Sequence, residues 1–448
     1  MIRDAIALYN DLLDDHSALE AQASLNSKLQ KRRLFFGARP ICTVLRPVFY
    51  YPDQWAYLKH ETEVLLGAFG RAHQACMADA ALRAELDLEP YEEELFRLEI
   101  GYEAPWTTSR LDSFYDPDAK RLRFVEYNAE TPAGMGYCDE LSDAFLELEV
   151  FRRFGLTYTI RSFTAVRSLI ATLLDSWRQY GGIGQPQVGI IDWSDVPTLN
   201  EHEIIRDAFA ERGIKAQLAD PRNLEYRQGA LWIGDFRIDL IYKRVLCSEL
   251  IHRMGMENPI VHALRDKAVM MTNAFSAKLM AKKASFAILS DERHAHLFTE
   301  AQQAAIEAHI PWTRRVTDRK TVYQGKSVDL LTFAAENRDR FVLKPNDEYG
   351  GKGVIIGWEN SAEDWAAALN DALLSPHVVQ EKVDAAYEDF PTVVDGKLNI
   401  APRLVDADPY IYQGRTVSGC LTRLSSVTLL NVTAGGGSLA PTFVIERR

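Results

Sequence analysis

Apolar and polar positions follow a helical period in some segments of the chain and a period of two in others. Residues 1–30 and 53–98 carry apolar side chains at helical spacing, with charged residues on the opposite face, which predicts amphipathic helices. Between them, residues 39–51 form an apolar segment that predicts extended chain. The N-terminal part of the protein is therefore expected to be largely helical.

The pattern changes to a period of two near residue 110. Residues 110–115 and 122–128 predict strands, and the turn chemistry of Asp116-Pro117-Asp118 between them predicts a β-hairpin. Helical spacing returns after this hairpin and continues to about Tyr180.

A cluster of Gly, Pro and Gln at 181–187 predicts a linker. Strand, helix, strand and strand patterns then follow at 188–191, 200–212, 215–218 and 238–242. This alternation predicts a small parallel α/β unit over about residues 185–275.

The most informative stretch runs from Arg340 to Ile356. An apolar strand ends at Lys344, Pro345 interrupts it, and three glycines follow before a second apolar strand: Gly350, Gly351 and Gly353. Glycine lets backbone N–H groups approach an anion, and a lysine adds a point charge that suits phosphate. The stretch predicts a mobile flap over a polyphosphate, although these residues alone are equally compatible with an ordinary hairpin loop. It lacks the Gly-Lys-Ser/Thr ending of a Walker A loop.

Composition narrows the function classes. The net charge of −12 over 448 residues argues against general affinity for nucleic acid or anionic membranes. The five cysteines form no C-x-x-C pair, which favours a reducing compartment and gives no zinc site. The first residues predict neither a signal peptide nor an anchor, and no apolar run is long enough for a bilayer. We expect a cytoplasmic protein that binds neither nucleic acid nor membrane.

The predicted hairpin carries a candidate metal site. Glu126 and Asn128 are two residues apart on one strand and share a face, and the turn can bring Asp112 opposite them. Two carboxylates and an amide oxygen suit Mg²⁺ that bridges phosphates. Arg110 would share the face of Asp112 and could reach a phosphoryl group or an oxyanion. The alternative is a surface hairpin with solvated charges, which the apolar pair Phe124-Val125 makes less favourable.

These motifs together resemble the ATP-grasp ligases. The flap, with Lys344 and its glycines, is similar to the phosphate loop of that superfamily, and Glu126-Tyr127-Asn128 is similar to its metal-binding Glu-x-Asn. Here Glu-x-Asn precedes the flap, an order that resembles the circularly permuted ATP-grasp proteins, which include glutathionylspermidine synthase and an uncharacterised bacterial branch. The resemblance extends through Asp239–Arg244, Asn273, Lys282-Lys283, Gln380-Glu381 and the segment from Gly419 to Gly437.

The resemblance implies an α/β fold with α+β elements, the circularly permuted ATP-grasp fold, and three regions. Residues 1–180 would hold a helical part and the metal hairpin, 185–275 the small α/β unit, and 276–448 the ATP-grasp lid and core. It also implies ATP and Mg²⁺ as cofactors. The implied nucleotide residues are Lys283, Lys344, Gly350, Gly351, Gly353, Gln380, Glu381, Lys382 and Val383, and the implied metal ligands are Asp112, Glu126 and Asn128. Lys282 is a rival for Lys283, because both lie on the helix that the pattern predicts over residues 274–289. Without the resemblance both lysines would be assigned to the solvated face of that helix.

A second arrangement competes for the metal. Asp406, Arg423 and Asn431 are placed rather like the metal-binding end of an unpermuted chain, but residue 429 is Leu, so Glu-x-Asn is missing there. We therefore assign the metal to the hairpin and place Arg423, Asn431, Gly435 and Gly436 on the acceptor side. Arg110 and Arg423 are the candidate catalytic residues, although Arg423 could equally form a structural ion pair.

The reaction that the resemblance implies is ATP-dependent ligation of a carboxylate to an amine through an acyl phosphate. The substrates would be small molecules or peptides, and their identity is not carried over from glutathionylspermidine synthase, since this chain has no room for its second domain. Two alternatives remain open. One is a phosphotransferase on the same fold, and the other is a nucleotide-binding protein without turnover.

Overall fold

The protein has mixed α and β structure, described here from a computed structural model that covers residues 2–98, 100–427 and 437–448. Within these ranges, no helix combines the length and the apolar character needed to cross a membrane. The helices are α1 (Ile2–Asp11), α2 (Asp15–Lys31), α3 (Pro52–Ala78), α4 (Ala80–Arg83), α5 (Pro90–Leu95), α6 (Met135–Leu146), α7 (Glu149–Phe154), α8 (Ala165–Gln179), α9 (Leu199–Glu211), α10 (Cys247–Met254), α11 (Pro259–Arg265), α12 (Lys278–Ala281), α13 (Ala284–Ser290), α14 (Glu300–His309), α15 (Leu330–Glu336) and α16 (Ala362–Asp371).

The strands form separate sheets that are described below. They are β1 (Phe35–Phe36), β2 (Arg39–Pro40), β3 (Val48–Tyr50), β4 (Thr108–Asp116), β5 (Arg121–Asn128), β6 (Tyr158–Arg161), β7 (Val188–Ile191), β8 (Ala216–Ala219), β9 (Glu225–Arg227), β10 (Ala230–Ile233), β11 (Phe236–Ile238), β12 (Leu240–Lys243), β13 (Met270–Thr272), β14 (Thr313–Arg315), β15 (Lys320–Tyr323), β16 (Lys326–Asp329), β17 (Phe341–Pro345), β18 (Ile355–Ile356), β19 (His377–Glu381), β20 (Ala386–Val394), β21 (Lys397–Val405), β22 (Asp408–Tyr412), β23 (Thr416–Ser425), β24 (Gly437–Ala440) and β25 (Thr442–Arg447).

Three local features differ from the sequence prediction. The first predicted helix is two helices, because the Asp14 carboxylate accepts a hydrogen bond from the Ser17 N–H and begins α2. The segment expected to be helical up to Tyr180 contains the strand β6. The predicted helix at 274–289 is interrupted between α12 and α13, at Lys282 and Lys283.

The largest sheet joins distant parts of the chain. Its strand order is β20-β21-β23-β22-β4-β5, with β24 paired to β23, and its pairings are antiparallel. The predicted hairpin is therefore real, and its strand β4 pairs with the C-terminal strand β22. Helix α3 buries Leu58, Leu65 and Phe69 in the large core beside this sheet.

The small α/β unit has its own sheet and core. Its strand order is β13-β12-β7-β8, and neighbouring strands are parallel, as the sequence predicts. Trp193, Leu231 and Ile241 are among the residues that fill its separate apolar core. The carboxyl end of β12 brings Lys243 and the following Arg244 towards the loop after the hairpin.

Residues 313–381, called the lid below, have a third sheet and a third apolar core. This sheet has the order β14-β19-β17-β18, and Phe341, Leu343 and Trp365 are buried in the core. The glycine-rich stretch at 346–354 connects β17 to β18, so the predicted strand–flap–strand pattern is present.

Candidate functional site

A cavity of about 1310 Å³ lies where the hairpin, the lid, the small α/β unit and the C-terminal strands meet. Small-molecule sites usually occupy about 300–1,000 Å³, so this cavity has room for a nucleotide together with a second substrate. Its lining includes most of the residues that the sequence singled out: Arg110, Asp112, Glu126, Asn128, Lys283, Lys344, Gly350, Gly351, Gln380, Glu381, Lys382, Val383, Asp406 and Arg423.

The hairpin presents four of these side chains together. In the β4–β5 pairing Asp112 lies opposite Glu126, and Arg110 lies opposite Asn128. Because residues two apart on a strand share a face, all four side chains lie on one side of the hairpin. The Asn128 amide donates to the Asp112 carboxylate at 3.0 Å.

Asp112 is buried between two arginines. Arg110 donates to both oxygens of Asp112, from Nε at 2.7 Å and from Nη2 at 3.0 Å. Arg423 donates from Nη2 to Asp112 Oδ2 at 2.7 Å. Burial alone would raise the pKa of Asp112, but the charges of Arg110 and Arg423 outweigh burial and hold that pKa below its ordinary value. The carboxylate therefore stays ionised.

Arg423 holds two further carboxylates. Its Nε donates to Asp406 at 2.6 Å, and its Nη2 lies 3.0 Å from Asp408 Oδ2. Burial raises the pKa of both aspartates. The ion pairs that the sequence analysis allowed for Arg423 are thus present, and they lie inside the cavity. Asp408 was missed, although its spacing of two residues from Asp406 was a usable signal.

Lys344 lies at the end of β17, half-buried and facing the hairpin. Its Nζ donates to Gln380 Oε1 at 2.7 Å and to the Val125 carbonyl at 3.3 Å. Burial lowers the pKa of Lys344 to about 8, against the opposing influence of the nearby Glu126 charge. Lys344 is therefore still largely protonated at neutral pH, and it loses its proton at moderately alkaline pH.

The two rival lysines point to different places because the helix breaks between them. Lys283 lines the cavity, and its Nζ lies 3.1 Å from Glu126 Oε1. Lys282 pairs instead with buried Glu92 at 2.7 Å. The break is fixed by Asn346, which accepts from the Ala284 N–H at 2.9 Å through its side chain and from the Lys283 N–H at 3.0 Å through its carbonyl.

The flap is anchored at its root and exposed at its tip. Asp347 pairs with Lys278 at 2.6 Å, whereas Tyr349 and Lys352 are largely exposed. Gly353 has a positive φ of 71°, and a Cβ there would lie 2.7 Å from Pro345 Cγ, so this position requires glycine. Gly350 and Gly351 also have positive φ.

Residues 380–383, which the resemblance implies as nucleotide residues, line the cavity. Gln380 is buried and holds Lys344, while Glu381 accepts from the Tyr323 hydroxyl. The Lys382 ammonium lies 4.2 Å from the centre of the Trp358 ring. Because the side chains of Gln380, Glu381 and Lys382 already have partners, a nucleotide bound here would contact mainly the backbone of residues 380–383.

A buried ion-pair network, which no local sequence pattern predicts, supports the site. Glu130 lies 3.1 Å from Lys243 and 3.1 Å from Lys278, and it also accepts from the Cys247 N–H at 2.6 Å. Despite burial, the two lysine charges lower the pKa of Glu130 to about 2. Lys278 in turn pairs with Asp347, so the network connects the α/β unit to the root of the flap.

The side chains on this face have the chemistry for Mg²⁺ and a polyphosphate, but Asp112 is already engaged. Asp112, Glu126 and Asn128 supply two carboxylates and an amide oxygen, which are ligands that Mg²⁺ takes. Both oxygens of Asp112 accept hydrogen bonds from Arg110, Arg423 or Asn128, so a metal bound there would replace at least one of these contacts. Lys283 and Lys344 supply positive charge beside them. Asn431, Gly435 and Gly436 lie outside the described residues, so their predicted place on the acceptor side stays a prediction.

No family model matches the chain. A Frankia casuarinae protein provisionally named glutamate–cysteine ligase 2-2 is 23% identical over 329 residues, which is 70% of this chain and 36% of the relative. An uncharacterized protein of Mycobacterium tuberculosis is 23% identical over 335 residues, which is 71% of this chain and 56% of the relative. The chain thus spans between about a third and just over half of the length of these relatives.

A solved structure shows the fold. The apo structure of a glutathione synthetase-like effector from Globodera pallida superposes with a TM-score of 0.62 at 12% identity, covering 96% of this chain and 98% of that one. The chain therefore shares the fold of this effector, and the mixed α/β fold class predicted from the sequence is confirmed.

Proposed function

We propose that the protein is an ATP-dependent carboxylate–amine ligase. The observation that carries this proposal is the convergence, in one cavity, of the Asp112–Glu126–Asn128 face, two lysines and the glycine flap. The fold shared with the glutathione synthetase-like effector and the ligase name of the Frankia relative support the same reaction class.

The metal-binding residues would be Asp112, Glu126 and Asn128, and Mg²⁺ bound there would neutralise negative charge on the phosphates of ATP. Lys283 and Lys344 would hold the phosphates, with Gly350, Gly351 and Gly353 closing above them. Residues Gln380–Val383 would form the edge of the adenine pocket. That the hairpin precedes the flap in the chain supports a circularly permuted ATP-grasp order.

The reaction would proceed in two steps. A substrate carboxylate oxygen attacks the γ-phosphorus and ADP leaves, giving an acyl phosphate. The nitrogen of the amine then attacks the acyl carbon, phosphate leaves with the carboxylate oxygen that had attacked the γ-phosphorus, and the nitrogen loses a proton as the amide forms. Arg110 and Arg423, which lie beside Asp112, would stabilise negative charge on the reacting groups. The protein's main task is positioning and charge stabilisation.

A product assay tests the proposal. The protein is incubated with ATP, Mg²⁺ and a panel of amino acids and small peptides, while ADP release and condensation products are followed. We expect ADP release that requires both an acid and an amine, with an amide whose mass equals their sum less one water. Phosphate transferred to an alcohol or to water alone would instead identify a phosphotransferase or an ATPase.

A further inference from the structure

One lobe of the cavity is not used by the nucleotide and metal residues. It lies between the loop after the hairpin and the small α/β unit, and its lining includes Thr131, Ala133, Asp192, Glu201 and Arg244. The sequence analysis assigned no role to any residue of this lobe.

Arg244 is a buried cation without an ion pair. It is 6% exposed, its Nη1 donates to the Pro132 carbonyl, and no described carboxylate forms an ion pair with it. Its Nε has no hydrogen-bond partner among the described residues. The charges of Glu201 and Asp192 act on Arg244 from beyond ion-pair distance, so an anion bound in the lobe would compensate this buried charge more closely.

Two carboxylates line the same lobe. Glu201 is 1% exposed and accepts the Gly134 N–H at 2.7 Å through Oε1, while Oε2 has no hydrogen-bond partner within the described part of the chain. Asp192 accepts the Trp193 N–H at 2.9 Å through Oδ1. Burial raises the pKa of Glu201 and of Asp192, so a cation near either carboxylate would favour its ionised form.

The lobe shares a wall with the metal hairpin. Arg244 donates to the Pro132 carbonyl, Arg110 donates to the Ala133 carbonyl at 2.9 Å, and Gly134 donates to Glu201. Three successive loop residues, 132–134, are therefore held by the small α/β unit on one side and by the hairpin on the other. Because Arg110 and Arg244 hold adjacent residues of this loop, the lobe lies close to the face of the hairpin that carries Arg110.

We propose that this lobe binds a zwitterionic α-amino acid, with its carboxylate at Arg244 and its ammonium group facing Glu201 and Asp192. The inference rests on the proposed function and makes the lobe the site of the amine substrate. A dicarboxylate would put an anion against two buried carboxylates, and a polyamine would put a cation against Arg244, so the zwitterion matches the charges best.

Ligand-observed NMR tests the lobe without turnover. The twenty common L-amino acids are screened with the protein, Mg²⁺ and the ATP analogue AMP-PNP, and the best binder is compared with its carboxamide and its decarboxylated amine. We expect both analogues to bind about ten- to a hundredfold more weakly, since each loses a charge-assisted contact. Arg244→Gln should weaken the amino acid to the same extent but leave its carboxamide unchanged. Arg237→Gln, which alters an exposed arginine of the same unit paired with Asp239, should change neither.

The proposal is overturned if no amino acid binds the wild type, if the decarboxylated amine binds as well as the amino acid, or if a folded Arg244→Gln variant retains full affinity. Should Arg244→Gln fail to fold, Arg244→Lys and Glu201→Gln provide the same comparison. Amino-acid binding without amide formation in the product assay would leave the subsite standing and reject the ligase.

Discussion

At the scale of single residues, charge placement separates the two lysines that we propose to bind nucleotide from a third with a buried partner. Lys344 and Lys283 lie near Glu126 of the hairpin, whereas Lys282 is paired with a buried glutamate. Sequence spacing could not separate Lys282 from Lys283, because their difference arises from a helix break that Asn346, far along the chain, imposes.

Lys344 should make Mg-ATP binding depend on pH. Its pKa of about 8 means that the free protein loses this cation as pH rises through 8. Phosphate favours the protonated lysine, so affinity should be full below pH 8, decline above it, and be accompanied by proton uptake. Lys344→Met should remove this pH dependence and weaken binding about ten- to a hundredfold. Calorimetric titration in buffers of different ionisation enthalpy measures both effects. The exposed Lys326→Met is the control, and an equal affinity in folded Lys344→Met would remove Lys344 from the site.

Substitutions of the neighbouring lysines Lys282 and Lys283 should have different effects, one on stability and the other on nucleotide binding. Lys282→Ala leaves Glu92 buried and unpaired, which should cost about 3–5 kcal/mol of folding free energy. Lys283→Ala removes a partner of the half-buried Glu126 and should mainly weaken Mg-ATP binding. Urea denaturation and nucleotide titration of both variants provide the comparison. The reverse pattern would make Lys282 the nucleotide lysine.

At the scale of elements, the hairpin and the flap carry separate predictions. Glu126→Gln keeps the size of the side chain but deletes an anionic oxygen ligand, so Mg²⁺-dependent ATP turnover should fall by orders of magnitude. The melting temperature without nucleotide should change little, because Glu126 is partly exposed and its ion pair is correspondingly weak. Glu211→Gln, at an exposed helix end, is the matched control. Undiminished turnover in Glu126→Gln would show that the metal binds elsewhere, and Asp406 would be the next candidate ligand.

The flap should be protected by nucleotide at its tip. Lys352 has a side chain that is 75% exposed, while Asn346 and Asp347 tie the root to α12 and α13. Trypsin should therefore cut after Lys352 in the free protein, and Mg-ATP should slow that cut at least several-fold. Cleavage after Lys397, the exposed first residue of β21, serves as the internal reference. Identical cleavage at Lys352 with and without Mg-ATP would argue for a static loop.

The elements that sequence reasoning found are those with local patterns. The period of two, the turn residues and the clustered glycines predicted the hairpin and the flap. The partners of these elements arise from contacts across the chain: Arg423 meets Asp112 from 311 positions away, and Asp347 meets Lys278 from 69. A single sequence offers no periodicity that connects such pairs, which is why Asp408, Glu130 and Arg244 were missed.

At the scale of the whole molecule, the largest sheet forms one wall of the cavity. Strand β4 pairs with β22, so residues from the first third of the chain and from its C-terminal part form one surface beneath the cavity. The small α/β unit and the lid each have a separate core and contribute the other walls. This arrangement suits a reaction in which nucleotide, acid and amine must be enclosed together.

Trapping of the acyl phosphate tests the central claim most directly. The protein is incubated with ATP, Mg²⁺, a panel of amino acids and small peptides as carboxylate donors, and hydroxylamine in place of the amine substrate. The ligase reaction predicts a hydroxamate of one panel acid, formed in equal amount to ADP and lost in Glu126→Gln. ADP production without any hydroxamate, or with phosphate appearing on an alcohol, would contradict an acyl-phosphate ligase.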